Sequence, residues 1–250
     1  MPFKVIIPAR YASTRLPGKT LLDIAGKPMI QHVFERATES EATQVIIATD
    51  DQRIATAVKA FGADVCMTKT NHSSGTDRLA EVAQHYQFDD DDIIINVQGD
   101  EPCLPAVLIN QVADDLSHHA EADMATLFSI IDQEKHIFDP NVVKVITDHQ
   151  GYALTFSRAP IPWLRGIFLQ DGDLPKNLPH KRHIGLYGYR ANFLKQYAQL
   201  TPCELEQAES LEQLRALYYG KKIHLTEAKI NPGHGVDTAE DLTLARSLLG

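Results

Sequence analysis

The chain has 250 residues, 44% hydrophobic and 23% charged, a composition that suits a globular enzyme-sized protein with ample core. A formal charge of −9 at pH 7 argues against a general nucleic-acid binder, which presents a basic face, so any cluster of cations has a local purpose. Cys66, Cys103 and Cys203 form no C-x-x-C or Cys/His metal spacing and read as reduced thiols; with no secretory leader recognisable and no run of membrane-spanning length, a cytoplasmic protein without a membrane partner is expected.

Lys4 to Ile7 reads as a buried strand that breaks at Pro8 into a loop carrying Arg10, Arg15 and Lys19 beside Gly18. Met29 to Ser40 suits a helix, Gln44 to Thr49 a strand, Gln52 to Phe61 a helix, and Asp64 to Thr68 and Asp92 to Val97 strands. Strands alternating with helices predict an α/β fold with a mainly parallel, doubly wound sheet. After Leu116 the pattern turns mixed, with strands over Met124 to Ile131, Val142 to Thr147, Ala153 to Arg158, Leu186 to Arg190 and Ile223 to Ala228. Ala159 to Arg182, rich in Pro, Gly and charge, reads as a long loop or lid. Glu204 to Tyr219 reads as one helix, and Thr238 to Leu249 as another with Thr238 and Asp241 forming a capping box. No clean boundary is visible, so a single domain over residues 1–250 is expected.

The first loop lacks both G-x-x-x-x-G-K-[ST] and G-x-G-x-x-G, so a polyanion such as a nucleotide triphosphate would be held by long cationic side chains rather than a glycine nest. An ordinary cationic surface loop is the competing reading. The carboxyl ends of parallel strands line the site in such sheets, which places Gln98-Gly99-Asp100-Glu101-Pro102 there. Asp100 is a candidate magnesium ligand, and Asp237, in the glycine-bracketed run Gly233 to Thr238, is the candidate second acid, or else a helix-capping or surface acid. Ser74, Gly75 and Thr76 lie in a small polar loop suited to a nucleobase or ribose, with a plain helix cap equally compatible. Arg158, His183, Tyr187 and Arg190 fall on strand-like segments and suit an anionic sugar, although each of these types is more often structural. The acidic run Asp89 to Asp92 precedes its strand and so lies at the wrong end of the sheet, and His118-His119 reads as surface.

Together, I-P-A-R-Y-A-S-T-R-L-P-G-K, G-K-P-M-I, V-I-I-A-T-D, S-G-T-D-R-L-A-E, N-V-Q-G-D-E-P, Y-A-L-T-F-S-R, H-I-G-L-Y-G-Y-R, L-E-Q-L-R-A-L and G-V-D-T resemble the 3-deoxy-manno-octulosonate cytidylyltransferases, in fixed order from about Val5 to Leu242. The resemblance implies a Rossmann-like nucleotidyltransferase fold: about 1–116 as nucleotide-binding half, about 117–230 as a smaller mixed subdomain for sugar binding and dimerisation, and about 231–250 returning with a metal aspartate. It implies transfer of CMP from CTP to 3-deoxy-D-manno-octulosonate (Kdo) for lipopolysaccharide synthesis, with Mg²⁺ and a homodimer. By the same likeness Lys19, Asp100 and Asp237 are catalytic, the two aspartates holding the metal, and Ala9, Arg10, Ser13, Arg15, Lys19, Ser74, Gly75, Thr76 and Gln98 bind the nucleotide. Arg78, Arg158, His183, Tyr187, Glu212 and Gln213 would meet the sugar. An 8-amino-Kdo or sialic acid cytidylyltransferase, and a non-catalytic CTP sensor, are the competing readings.

Overall fold

The computed structural model describes residues 2–12, 16–72, 74–168 and 180–250. Strand β1 (Phe3–Ala9) leads through a 3-10 turn (Lys19–Leu21) and a hairpin of β2 (Asp23–Ile24) and β3 (Lys27–Pro28) into helix α1 (Met29–Thr38). The alternation continues with β4 (Gln44–Thr49), α2 (Gln52–Ala60), β5 (Asp64–Met67), α3 (Gly75–His85), β6 (Ile93–Asn96) and α4 (Ala106–His118). Next come β7 (Met124–Ile130), α5 (Glu134–Phe138), β8 (Lys144–Thr147), β9 (Ala153–Ser157) and β10 (Lys181–Arg190). Helices α6 (Ala191–Tyr197), α7 (Glu204–Glu209) and α8 (Gln213–Tyr218), strand β11 (Ile223–Glu227) and helix α9 (Ala239–Leu249) complete the chain.

The main sheet runs β11-β7-β10-β6-β1-β4-β5, with β8 branching from β10 and carrying β9. β1 pairs in parallel with β4 and β6, β4 with β5, and β11 with β7. β10 runs antiparallel to both β6 and β7. The expected mainly parallel sheet is therefore present, and it is continuous across both halves of the chain. Val5, Ile7, Ile93 and Ile95 pack toward α1 and α4, while Ile6, Ile46 and Ile94 pack with α3 and α6 on the other face. Covering both faces is why these strands read as unbroken aliphatic runs.

Order along the sheet reverses at β1: the chain goes out to β4 and β5, then returns to β6 on the other side. The crevice at the carboxyl ends opens at such a switch point. Because β10 is antiparallel, its amino-terminal residues are brought to the same end. The acidic run lies at the opposite end, where Asp92 pairs with Lys4 at 2.6 Å and Asp90 with Lys195 at 2.8 Å.

Three expectations are corrected. Glu204 to Tyr219 is two helices, because Ser210 adopts a left-handed conformation (φ 52°) that no continuous helix accommodates. β10 begins at Lys181, five residues before the predicted start. His119 is not a bare surface residue: its ring stacks on His224 at 3.5 Å between centroids, and its Nδ1 lies 3.1 Å from Asp115 Oδ1. The buried His224 faces Asp115 Oδ2 at 2.9 Å through Nδ1 and the Gln150 carbonyl at 3.0 Å through Nε2. Both partners are acceptors, so this ring is suited to carrying both protons. Burial opposes the charge, but Asp115 outweighs it and the His224 pKa stands above its usual value.

One buried cation joins the start of β8 to the end of β9. Lys144 is fully buried, and its ammonium donates to the carbonyls of Asp139 (2.9 Å), Val142 (2.6 Å) and Arg158 (2.6 Å), so all three donors are satisfied. Among the described residues the three cysteines are free, and no helix is long and apolar enough to cross a membrane.

Candidate active site

A cavity of about 570 Å³ opens at the carboxyl ends of β1 and β6. From the first half of the chain its wall takes Ala9, Arg10, Ser74, Gly75, Thr76, Arg78 and Gln98. From the second half it takes His183, Tyr187, Glu212 and Gln213. Ser13 and Arg15 lie outside the described residues. Arg158 is not part of this wall: its Nε donates to the Glu209 carbonyl at 2.7 Å and its Nη1 to the Pro140 carbonyl at 2.8 Å, a structural role that departs from the expected sugar contact.

Lys19, Asp100 and Asp237 converge beside the cavity, where Glu101 forms part of its wall. Lys19 Nζ lies 2.5 Å from Asp100 Oδ2, 2.9 Å from Asp237 Oδ1 and 3.2 Å from the Val236 carbonyl. Three close backbone approaches build this cluster. Gly18, at φ 66°, donates its N–H to the Tyr11 carbonyl and turns the chain into the 3-10 segment that bears Lys19. Gly99 is not left-handed; a Cβ there would stand 2.8 Å from the Pro8 carbonyl oxygen, so glycine is required for the β6 loop to lie across the end of β1. Gly233 (φ 84°) would meet the Cys103 carbonyl at 2.6 Å, and the Val236 N–H donates to the Asp100 carbonyl at 2.8 Å. The loop of Asp237 is thereby fixed on the loop of Asp100.

Thr238, not Asp237, is the N-cap of α9, and the expected capping box with Asp241 is formed. Asp241 Oδ2 accepts from the N–H groups of both Asp237 and Thr238. The Asp237 carboxylate is thus left to face Lys19. Burial lowers the Lys19 pKa, yet Asp100 and then Asp237 outweigh it, and the ammonium is held charged above its ordinary range. Glu101, which the sequence reading passed over, is pushed up to about 7 by burial and by the charges of Asp100 and Asp237.

A bulge aims the second-half residues. Ile184 pairs with Leu127 but Gly188 with Ala125, so β10 carries two extra residues between these pairs. Thr126 is fully buried and fills the irregularity: its hydroxyl lies 2.9 Å from the Ile184 carbonyl, 2.8 Å from the Leu186 carbonyl and 3.1 Å from His183 Nε2. The hydroxyl proton serves the two carbonyls, so His183 donates from Nε2. Burial, then the neighbouring Arg182 charge, depresses the His183 pKa to about 3, and the imidazole is neutral.

Glu212 follows the break at Ser210 and accepts from Thr76 Oγ1 at 2.9 Å, joining α3 to the second half. Burial raises its pKa against that hydrogen bond. Ser74 caps α3, accepting from the Asp77 N–H at 3.1 Å, and also lines the cavity. Arg78 is buried and bonded to Asp50 (3.0 Å) and Thr68, which ties the ends of β4 and β5 together and compensates its charge.

The cytidylyltransferase sequence pattern matches residues 4–223. The chain belongs to the cytidylyltransferase family. It is 57% identical over 254 aligned positions to a 3-deoxy-manno-octulosonate cytidylyltransferase of Marinobacter nauticus, covering 100% of this chain and 97% of that one. With the protein of the same name from Photobacterium profundum it shares 55% identity, with both chains covered completely. A solved structure of CMP:2-keto-3-deoxy-manno-octonic acid synthetase complexed with CTP is 42% identical and superposes with a TM-score of 0.89 over 99% of this chain and 98% of that one. The family resemblance read from the motifs and the expected fold are borne out. In this cytidylyltransferase the cavity-wall residues that sequence reasoning did not single out include Glu101, Asn96 and Tyr189. Glu101 was signalled by its place beside Asp100, whereas Asn96 was hidden at the end of an aliphatic run.

Proposed function

We propose that this cytidylyltransferase transfers CMP from CTP to the anomeric hydroxyl of Kdo, releasing pyrophosphate and supplying CMP-Kdo for lipopolysaccharide synthesis. The observation that carries the reading is one cavity with two unlike walls: Arg10, Ser74, Gly75 and Gln98 on one side, His183, Tyr187, Glu212 and Gln213 on the other. A cation and an amide at the switch point suit a nucleotide. A neutral imidazole, a phenol, an acid and an amide suit the hydroxyls of a sugar acid.

Attack of the anomeric oxygen on the α-phosphorus forms the new P–O bond as the bond to pyrophosphate breaks. That step depends on positioning and on neutralising charge rather than on a protein nucleophile. Arg10, Arg15 and Lys19 neutralise the triphosphate. The Ala9 backbone, the Ser74-Gly75-Thr76 loop and Gln98 read cytosine, since the Gln98 amide offers both a donor and an acceptor to the ring edge. Arg78, His183, Tyr187, Glu212 and Gln213 form the sugar side, and Arg158 is left out of this set.

Two carboxylate oxygens and a carbonyl already converge on the Lys19 ammonium, an all-oxygen donor set of the kind magnesium prefers. Asp100 and Asp237 would therefore hold Mg²⁺ once the triphosphate draws Lys19 away. The metal would lower the pKa of the attacking hydroxyl and steady the α-phosphoryl oxygens. Asp100→Asn should lower kcat by a factor of about 100 or more at saturating Mg²⁺, and near-full activity would remove Asp100 from the metal site. Exposed apolar side chains in the second half, including Ile130, Leu154 and Trp163, support self-association as a homodimer, which sedimentation at micromolar concentration checks. A cytoplasmic site of action agrees with three free thiols.

The test is pyrophosphate release from CTP and Mg²⁺ with Kdo, 8-amino-Kdo or sialic acid, with UTP and EDTA as controls. Rapid Mg²⁺-dependent release with Kdo is expected. Preference for another acid would overturn the sugar half, and CTP binding without release for any acid would make the protein a sensor.

A further inference from the structure

Asn96 is an anomaly in its own strand. Side chains alternate across a sheet, so Asn96 lies on the same face of β6 as Ile94, which packs with Ile6, Met124 and Tyr189. An apolar side chain would fit that row. Instead an amide stands there with only 2% of its surface exposed, at the strand end that forms part of the cavity wall. Its Oδ1 has no hydrogen-bond partner. Gln213 lines the same cavity, is 5% exposed, and its Nε2 is likewise without a partner. Buried polar atoms are ordinarily satisfied, so a lone acceptor and a lone donor in one cavity point to a ligand that meets both.

Thr76, in the same cavity wall, donates to Glu212 Oε2 at 2.9 Å, so that pair is satisfied internally, whereas Asn96 Oδ1 is left to be met by what enters the cavity. Asn96 also sits in register with Tyr187 across the β6–β10 pair, on the sugar side of the cavity.

We propose that Asn96 is a specificity-determining residue for the acceptor sugar: Oδ1 accepts a hydrogen bond from a sugar hydroxyl, and Gln213 Nε2 donates to a sugar oxygen. This rests on the reading of the cavity as the site of CMP transfer to Kdo. The ligand class is a polyhydroxylated sugar acid, because a hydroxyl both donates and accepts. A methylene at the position that Asn96 reads leaves the carbonyl oxygen buried and unpaired, and sites built around such a bond reject the deoxy analogue strongly. An isosteric apolar side chain at position 96 removes that discrimination.

The test is a cycle between protein and ligand. Wild type and Asn96→Leu are assayed by pyrophosphate release with Kdo and with its monodeoxy analogues, and CTP binding is measured separately by calorimetry. Wild type should turn over Kdo and lose about 100-fold in kcat/KM with one monodeoxy analogue. Asn96→Leu should raise the KM for Kdo about tenfold or more, leave CTP affinity within about twofold, and lose nothing further with that same analogue. A merely structural role for Asn96 would not produce that coupling. Wild type that accepts every monodeoxy analogue as well as Kdo overturns the proposal without any variant. Independent losses from the two changes, or a loss of CTP affinity in place of sugar KM, also overturn it while leaving CMP transfer standing. Wild type silent with Kdo overturns both readings.

Discussion

Replacing Lys19 with Met should make the nucleotide-free protein bind a divalent cation more tightly even as it disables turnover. The Lys19 ammonium lies 2.5 Å from one Asp100 oxygen and 2.9 Å from one Asp237 oxygen, so a metal ion held by the two aspartates would compete with it for these ligands. Unscreened, each pair would be worth several kcal/mol even at an effective dielectric of about 20. The side chains of Asp100 and Asp237 are 30% and 47% exposed, however, and water takes most of that energy. Partly exposed pairs contribute about 0.2–1 kcal/mol each, so displacing Lys19 costs about 0.4–2 kcal/mol in all. That corresponds to roughly 2- to 30-fold in affinity. Mn²⁺ binding without nucleotide, followed by electron paramagnetic resonance, should therefore tighten about tenfold in Lys19→Met, while kcat with CTP and Kdo falls. Because the Lys19 pKa is raised, the difference should persist at pH 9. Unchanged or weaker Mn²⁺ binding in a folded Lys19→Met protein would refute the competition and, with it, the assignment of the two aspartates to a single ion.

Thr126→Val removes the hydroxyl that serves the Ile184 and Leu186 carbonyls. A loss of about 1–3 kcal/mol in stability is expected, with a higher KM for Kdo and an unchanged KM for CTP; a shift confined to CTP would contradict the role assigned to the β10 bulge. Lys144→Met strands three carbonyls, and after allowing for the relieved desolvation of the ammonium the net loss is about 3 kcal/mol. Calorimetry should then show Tm lower by roughly 6–12 °C, and no change would mean that those bonds are offset by burial. His224 has a pKa raised above 6.5, so its ion pair with Asp115 stabilises fully below that value and loses its contribution as pH rises through the raised one. The stability gap between wild type and His224→Gln in urea should shrink as pH rises from the ordinary imidazole value through the raised one; a gap that widens would reverse the sign.

The strands of the first half were legible because β1, β4 and β6 are covered on both faces and so read as aliphatic runs bounded by turn residues. Their parallel pairing was legible too, since strands alternating with helices imply crossover connections. Lys19 and Asp237 are 218 positions apart, and only the rule that places loops at strand ends, joined to the family motifs, brought them together in advance. The left-handed Ser210 was invisible because it carries neither glycine nor proline, so Glu204 to Tyr219 read as a single helix. The extent of β10 was masked by the Pro-, Gly- and charge-rich composition of the sequence before it. Asn96 was illegible for a different reason: periodicity marks which face a side chain occupies but not whether its polar atom finds a partner. His119 gained its partners from β11 and from a helical turn within α4, and neither contact leaves a motif.

The place of β10 in the sheet has a consequence for biogenesis. Strand β7 leaves the ribosome soon after β6, yet β10 must lie between them. Until residues 181–190 emerge, β6 presents an open hydrogen-bonding edge, which is a template for intermolecular pairing. The nascent chain must hold that edge vacant through three strands, and non-local closure of this kind is slow. Only later does the 233–237 loop dock on the Asp100 loop to complete the acidic pair. A truncated product of translation would therefore carry the first-half wall of the cavity and the bulged strand but not the paired aspartates, so the cluster around Lys19 is the last feature that synthesis completes.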